Sequence, residues 1–154
     1  MATVNVYLTF NGNTEEAFNF YKSVFGGEFT YMGRFKDMPA DENCPPPSEE
    51  EGNRIMHVSL PISKETILMA SDSTSFSGDV TFGNNFSVSI NTDNKEEADR
   101  LFNGLSVGGN IIMPMEKTFW GAYFGMFTDK FGVNLEFGGG TATSGAKVGV
   151  TFKP

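Results

Sequence analysis

The sequence predicts an α+β protein: two βαβββ repeats that form curved mixed sheets around a shared cleft, with helices on the outer faces. Three observations lead there. The motif Asn13-x-Glu15-Glu16-Ala17 recurs as Asn94-x-Glu96-Glu97-Ala98, and the helical stretch after each copy is closed by a glycine pair, Gly26-Gly27 and then Gly108-Gly109. Each copy is preceded by one short alternating stretch and followed by three more. Between motif and glycine pair the apolar residues recur at helical spacing, whereas in the flanking stretches they recur every second residue.

In chain order, residues 5–10 alternate and are rich in Val, Tyr, Thr and Phe, a strand ended by the turn chemistry of Asn11-Gly12-Asn13. Asn13 is placed to cap a helix with Glu16 in the capping-box position, and Ala17, Phe18, Tyr21, Val24 and Phe25 make its apolar stripe. A strand over 28–35 follows. Residues 37–53, with Pro39, Pro45-Pro46-Pro47 and Glu49-Glu50-Glu51, read as a loop. Residues 54–62 alternate, with Met56, Val58, Leu60 and Ile62 on one face and Ile55, His57 and Ser59 on the other; a strand over 66–71 and a Ser/Gly-rich loop complete the first half, about 3–72. The second half, about 84–138, repeats the order: a strand over 85–91, a helix capped by Asn94 with stripe Ala98, Leu101, Phe102 and Leu105, then strands over 110–117, 119–128 and 133–137. Together residues 1–138 make one domain of two halves. Residues 139–154 are a tail, loose or adding an edge strand over 147–152.

The chain's 154 residues, 39% of them hydrophobic and 16 of them Phe, suffice for one core. A net charge of −8 without a Lys/Arg cluster disfavours nucleic acid. The apolar runs fall short of the ~20 residues of a membrane span, and the N-terminus lacks the pattern of a leader, so a cytoplasmic protein is expected. Cys44, the single cysteine, sits in the proline-rich loop with no second thiol or nearby histidine and is read as incidental.

The chemistry-bearing residues concentrate in 119–137, FWGAYFGMFTDKFGVNLEF, which holds the only tryptophan, Trp120, and a lone carboxylate, Glu136, among Val133, Leu135 and Phe137. Trp120, Tyr123 and Phe124 are aromatic candidates for a ligand pocket; alternation puts Trp120 and Tyr123 on opposite faces, and Trp120 is the one expected to line the cleft. His57, the only histidine, is either a cleft-facing acid or base or a satisfied structural residue. Glu136 is either a base with a pKa raised by desolvation or a hydrogen-bonded post. Both are expected to face the cleft. Arg54 and Arg34 are candidate receivers of an anionic substrate, with exposed salt bridges as the competing use. Asp129-Lys130-Phe131-Gly132 reads as a turn.

The paired βαβββ pattern, with YLTFNGNTEEAFNFYKSVFGGE at 7–28, MHVSLPI at 56–62, ILMASD at 67–72 and WGAYFGMFTDKFGVNLEF from Trp120, resembles the vicinal oxygen chelate superfamily of glyoxalase I, bleomycin-resistance proteins and extradiol dioxygenases, and within it the PhnB-like branch. That branch is often labelled a demethylubiquinone methyltransferase, but no binding motif for S-adenosylmethionine is present. In metal-dependent members, four ligands come from the first and last strands of each half. The resemblance places these positions at about Val6, Leu68 or Met69, Asn85 and Glu136, of which only Glu136 is a good ligand. It therefore implies a degenerate metal site and no cofactor, a weak divalent metal on Glu136, His57 and water being the remaining option. The expected function is small-molecule binding in an aromatic cleft by a homodimer, with His57 and Glu136 as acid-base candidates and Trp120, Tyr123, Phe124, Arg54 and Asn85 as ligand contacts. The alternative is a metal-dependent lyase, isomerase or dioxygenase.

Overall fold

The computed structural model describes residues 2–139 and divides the chain into two compact units, Met1–Thr81 and Phe82–Pro154. The first unit runs β1 (Val6–Phe10), α1 (Thr14–Phe25), β2 (Tyr31–Arg34), a 3-10 turn (Phe35–Asp37), α2 (Glu49–Asn53), β3 (Ile55–Pro61) and β4 (Ile67–Asp72). The second runs β5 (Val88–Ile90), α3 (Lys95–Leu105), β6 (Asn110–Lys117), β7 (Tyr123–Thr128) and β8 (Asn134–Gly139). Each unit is one four-stranded mixed sheet, ordered β1-β4-β3-β2 and β5-β8-β7-β6, with one parallel pair (β1 with β4, β5 with β8) at the edge. The architecture is thus α+β with the repeated βαβββ order. The strand expected over 147–152 lies outside the described residues.

In the first sheet, Leu8, Phe10, Val58, Leu60, Leu68 and Ala70 are buried on the face that also meets the buried stripe of α1, Ala17, Phe18 and Tyr21. The alternation on β3 breaks once. Gly33 pairs with His57 but Arg34 pairs with Ile55, so Met56 is an extra residue in a β-bulge, and Ile55 is buried in its place. In the second sheet, Phe102 of α3 packs edge-on against Phe127 and Phe137, with ring centroids 4.9 and 5.8 Å away. Leu101, Leu105 and Leu135 fill in around them.

The two copies of the helix-start motif are capped differently. Asn94 behaves as the sequence predicts, its side chain accepting from the Glu97 backbone N–H at 2.8 Å. Asn13 makes no side-chain cap bond. The carboxylate of Asp72, at the end of β4, takes over: its Oδ1 accepts from the backbone N–H of Gly12 and of Thr14, both at 3.0 Å, and from the Thr14 hydroxyl at 2.6 Å. Its Oδ2 accepts from the Ile55 backbone N–H at 2.8 Å, so one buried side chain ties the end of β4, the start of α1 and the start of β3 together.

Three further expectations are corrected. Residues 37–53 are not all loop: Ser48 accepts from the Glu51 N–H and starts α2, whose first turn carries Glu49, Glu50 and Glu51 at the favourable end of its dipole. β5 is confined to Val88–Ile90, leaving Asn85 in the bend before it. The strand expected over 119–128 begins only at Tyr123, because residues 118–122 close a tight hairpin: the Thr118 hydroxyl accepts from the Ala122 N–H at 3.0 Å and Gly121 has φ +87°. The Asp129–Gly132 turn is as expected, with Asp129 Oδ1 accepting from the N–H groups of Phe131 and Val133.

Candidate functional site

Strand parity determines what stands on the face of the first sheet opposite α1. With Leu8 and Phe10 turned toward the helix, Tyr7 and Thr9 point the other way. Tyr7 is aligned with Met69, Met69 with Ser59, and Ser59 with Tyr31, so these four side chains form a row across all four strands. His57 lies on the same face two residues from Ser59. The Tyr7 hydroxyl is 3.2 Å from His57 Nδ1, and Ser59 Oγ is 2.9 Å from His57 Nε2. The imidazole lies between two phenol rings, with centroids 5.7 Å away on either side. Tyr7 and Tyr31 are each about half exposed, at 49% and 48%. Both hydroxyl partners can donate or accept, so the cluster suits either neutral tautomer of His57. The row contains no carboxylate, ammonium or guanidinium group.

Gly33, paired with His57 across the strands, keeps the cluster flat. A Cβ there would stand 2.5 Å from the Tyr31 hydroxyl, so the absence of a side chain is what lets the Tyr31 ring fold across the sheet toward His57.

In the second sheet, Leu135 and Phe137 are buried against α3 and Glu136 points to the opposite face, half-buried, with Ser89 beside it on β5 and Met126 on β7. Among the described residues Glu136 makes no hydrogen bond. Phe124 shares this face and is buried. Tyr123 does not: its hydroxyl donates to Asp99 on α3, and the Lys95 ammonium stands 4.7 Å over its ring. Burial and then the Asp99 bond push the Tyr123 hydroxyl above its ordinary pKa, while the hydrogen bonds from Lys95 and Tyr123 hold the Asp99 carboxyl below its own. Trp120 sits at the hairpin tip, 52% exposed and edge-on to Phe119. The parity argument relating it to Tyr123 fails because it is not on the strand.

Arg34 and Arg54 line one pocket at the ends of the strands of the first sheet rather than standing on the His57 face. Arg34 bonds both oxygens of Glu15 and the Asn53 carbonyl, and Arg54 bonds the Ser73 carbonyl and Glu50.

The parallel pairs correct the ligand positions that the resemblance implied. Val6 and Leu68 share the parity of the buried residues, so Tyr7 and Met69 occupy the open face of the first pair; Ser89, not Asn85, stands beside Glu136 in the second. Neither a phenol with a thioether in the first unit nor a hydroxyl with one carboxylate in the second is a donor set for a divalent cation, and among the described residues no three of His, Cys, Asp and Glu gather in one place.

The fold has counterparts among known proteins. Residues 3–137 match the model of the Glyoxalase/Bleomycin resistance protein/Dioxygenase superfamily. The chain belongs to this superfamily. A curated relative, protein YjdN of Escherichia coli strain K12, is 34% identical over 136 residues, covering 82% of this chain and 88% of its own. Among solved structures, protein PA1353 of Pseudomonas aeruginosa superposes with a TM-score of 0.73 at 39% identity, over 89% of this chain and 98% of that one. The PhnB protein of Bacillus cereus does so at 0.67 and 27%, over 90% of this chain and 100% of that one. The chain repeats its βαβββ unit, and among its described residues no helix is long and apolar enough to cross a membrane.

The sequence singled out His57 and Glu136 but missed Tyr7 and Tyr31. The available signal was parity: with Leu8 and Phe10 assigned to the core, Tyr7 had to lie on the other face with His57.

Proposed function

We propose that this superfamily member is a PhnB-like protein that binds a small planar, uncharged molecule on the open face of its first sheet, with Tyr7, Tyr31 and His57 as the recognition surface. The observation that carries the reading is the imidazole set between two half-exposed phenols with hydroxyl groups on both ring nitrogens. Flat rings offer stacking area at low entropic cost, and the His57–Tyr7 pair supplies one donor and one acceptor to fix orientation. A half-buried carboxylate without a hydrogen bond among the described residues makes Glu136 the second group held for ligand or proton chemistry. The reading requires no metal, and the donor set argues for a degenerate metal site rather than for a metal-dependent lyase, isomerase or dioxygenase. The acidic composition and single cysteine support a cytoplasmic location. Apolar Ile111, Ile112 and Met113, each exposed on the edge strand β6, support a homodimer.

Because His57 is the only histidine, its imidazole resonances are unique and report on the site directly. Titration with a panel of planar metabolites is expected to shift them saturably for at least one compound, and Tyr7→Phe is expected to weaken that compound about tenfold while leaving the fold intact. His57 resonances that no compound moves, with Trp120 fluorescence responding to one, would place the binding site elsewhere.

A further inference from the structure

At the carboxyl ends of β1, β2 and β4 lies a cavity of about 260 Å³ lined by Asn11, Gly12, Glu15, Arg34, Arg54 and Asp72, among others. Most of its charges are already engaged. Glu15 holds Arg34 through both oxygens, at 2.9 and 2.8 Å, and the four donors on Asp72 fill its carboxylate. Arg54 differs. Its Nη1 is anchored on the Ser73 carbonyl at 2.8 Å, which fixes the guanidinium in place, and its Nη2 reaches Glu50 at 3.2 Å. Among the described residues its Nε–H has no partner. The arginine side chain is only 24% exposed, whereas Glu50 is 83% exposed and approaches it through one oxygen.

An exposed, single-contact ion pair contributes little, so Glu50 is a weakly held occupant. A free carboxylate can do better by bridging Nε–H and Nη2–H side by side, the geometry for which guanidinium is suited. Gly12 passes close over the group: a Cβ at this position would stand 3.5, 3.6 and 3.7 Å from Arg54 Nε, Cζ and Nη2, against the face of the guanidinium. The site also tolerates the charge, since a carboxylate already occupies it. We propose that this cavity binds a small carboxylate, which displaces Glu50 from Arg54 and pairs with the guanidinium through two oxygens. Anchoring of α2 by the Glu51 carboxylate, which accepts from the Ser75 N–H at 2.6 Å, keeps Glu50 over the cavity mouth while its side chain swings aside.

The test follows the Arg54 Nε–H resonance of the full chain by NMR while acetate, succinate and inorganic phosphate are added separately at constant ionic strength. Acetate or succinate is expected to shift it saturably. Glu50→Gln, which removes the competing charge, is expected to tighten binding about fivefold. Arg54→Lys, which keeps the charge and stem but loses the fork, is expected to weaken it at least about tenfold, read from the Gly12 amide. Circular dichroism confirms that both variants are folded. No saturable shift, or an affinity unchanged in either variant, would overturn the proposal and leave Arg54 as a strut between Ser73 and Glu50. Binding of phosphate with both carboxylates silent would overturn the assignment of ligand class.

Discussion

Replacing Asp72 with Ala removes four hydrogen bonds at once, from Gly12, Thr14 (backbone and hydroxyl) and Ile55. The Thr14 and Ile55 N–H groups are buried in these bonds, so they lose their acceptor where water does not readily replace it, at about 1–3 kcal/mol each. The Gly12 N–H is only part-buried and regains water, adding little. The total comes to about 3–5 kcal/mol, well above the ~1 kcal/mol of an average substitution. For a chain of this length that lowers Tm by about 6–20 °C. Urea denaturation followed by far-UV circular dichroism measures it. Asp72→Asn is the control: its amide oxygen still serves Thr14, but its NH2 faces the Ile55 N–H, donor to donor, so it should recover only part of the loss. An Ala variant within about 1 kcal/mol of the parent would refute the view that this carboxylate ties β4, α1 and β3 together.

Gly33→Ala should displace the Tyr31 ring, since the new methyl would stand 2.5 Å from its hydroxyl; a shift of the His57 ring resonances with less than about 1 kcal/mol of stability lost is expected, and unmoved resonances would break the link between Gly33 and the cluster. Glu136→Gln should leave stability within about 1 kcal/mol of the parent, because no hydrogen bond among the described residues depends on its charge; a loss of several kcal/mol would make it a structural post instead. The Lys95–Asp99–Tyr123 group predicts a pH window. The lowered carboxyl of Asp99 favours folding above its unfolded pKa of about 3.9 and loses that contribution as pH falls through the lower folded value. The raised Tyr123 hydroxyl and Lys95 ammonium favour folding below about 10 and lose it as pH rises through their folded values. Tyrosinate absorbance should therefore contain a late-ionising component that Tyr123→Phe removes.

Much of the fold was legible because it rests on local signals. Period-two stretches, helical stripes and glycine pairs each announce one element, and their repetition announced the second half. What was not legible depended on events a few residues long with consequences at a distance. The bulge at Met56 exchanges which of Ile55 and Met56 is buried. The Thr118–Ala122 hairpin, which takes Trp120 off its strand, turns on one hydroxyl and one positive-φ glycine. In the candidate site, a slip of one position separates Val6 from Tyr7, and a slip of one on a strand exchanges its faces. The arginines were expected near the cleft, and only the long-range pairing puts them beside a cavity at the strand ends, off the face that carries His57.

The two helix starts differ in when they can be completed. The cap of α3 lies within its own motif, so that helix has its first-turn partner as soon as the segment is synthesised. The cap of α1 is 58 residues downstream of Thr14, beyond β2, α2, β3 and the body of β4. The Asp72 cap of α1 is therefore available only after residue 72 has been added and β4 has paired beside β1, while the cap of α3 needs no such wait. Two nearly identical five-residue motifs thus set opposite orders of events: in the first unit the sheet completes the helix, and in the second the helix can precede the sheet.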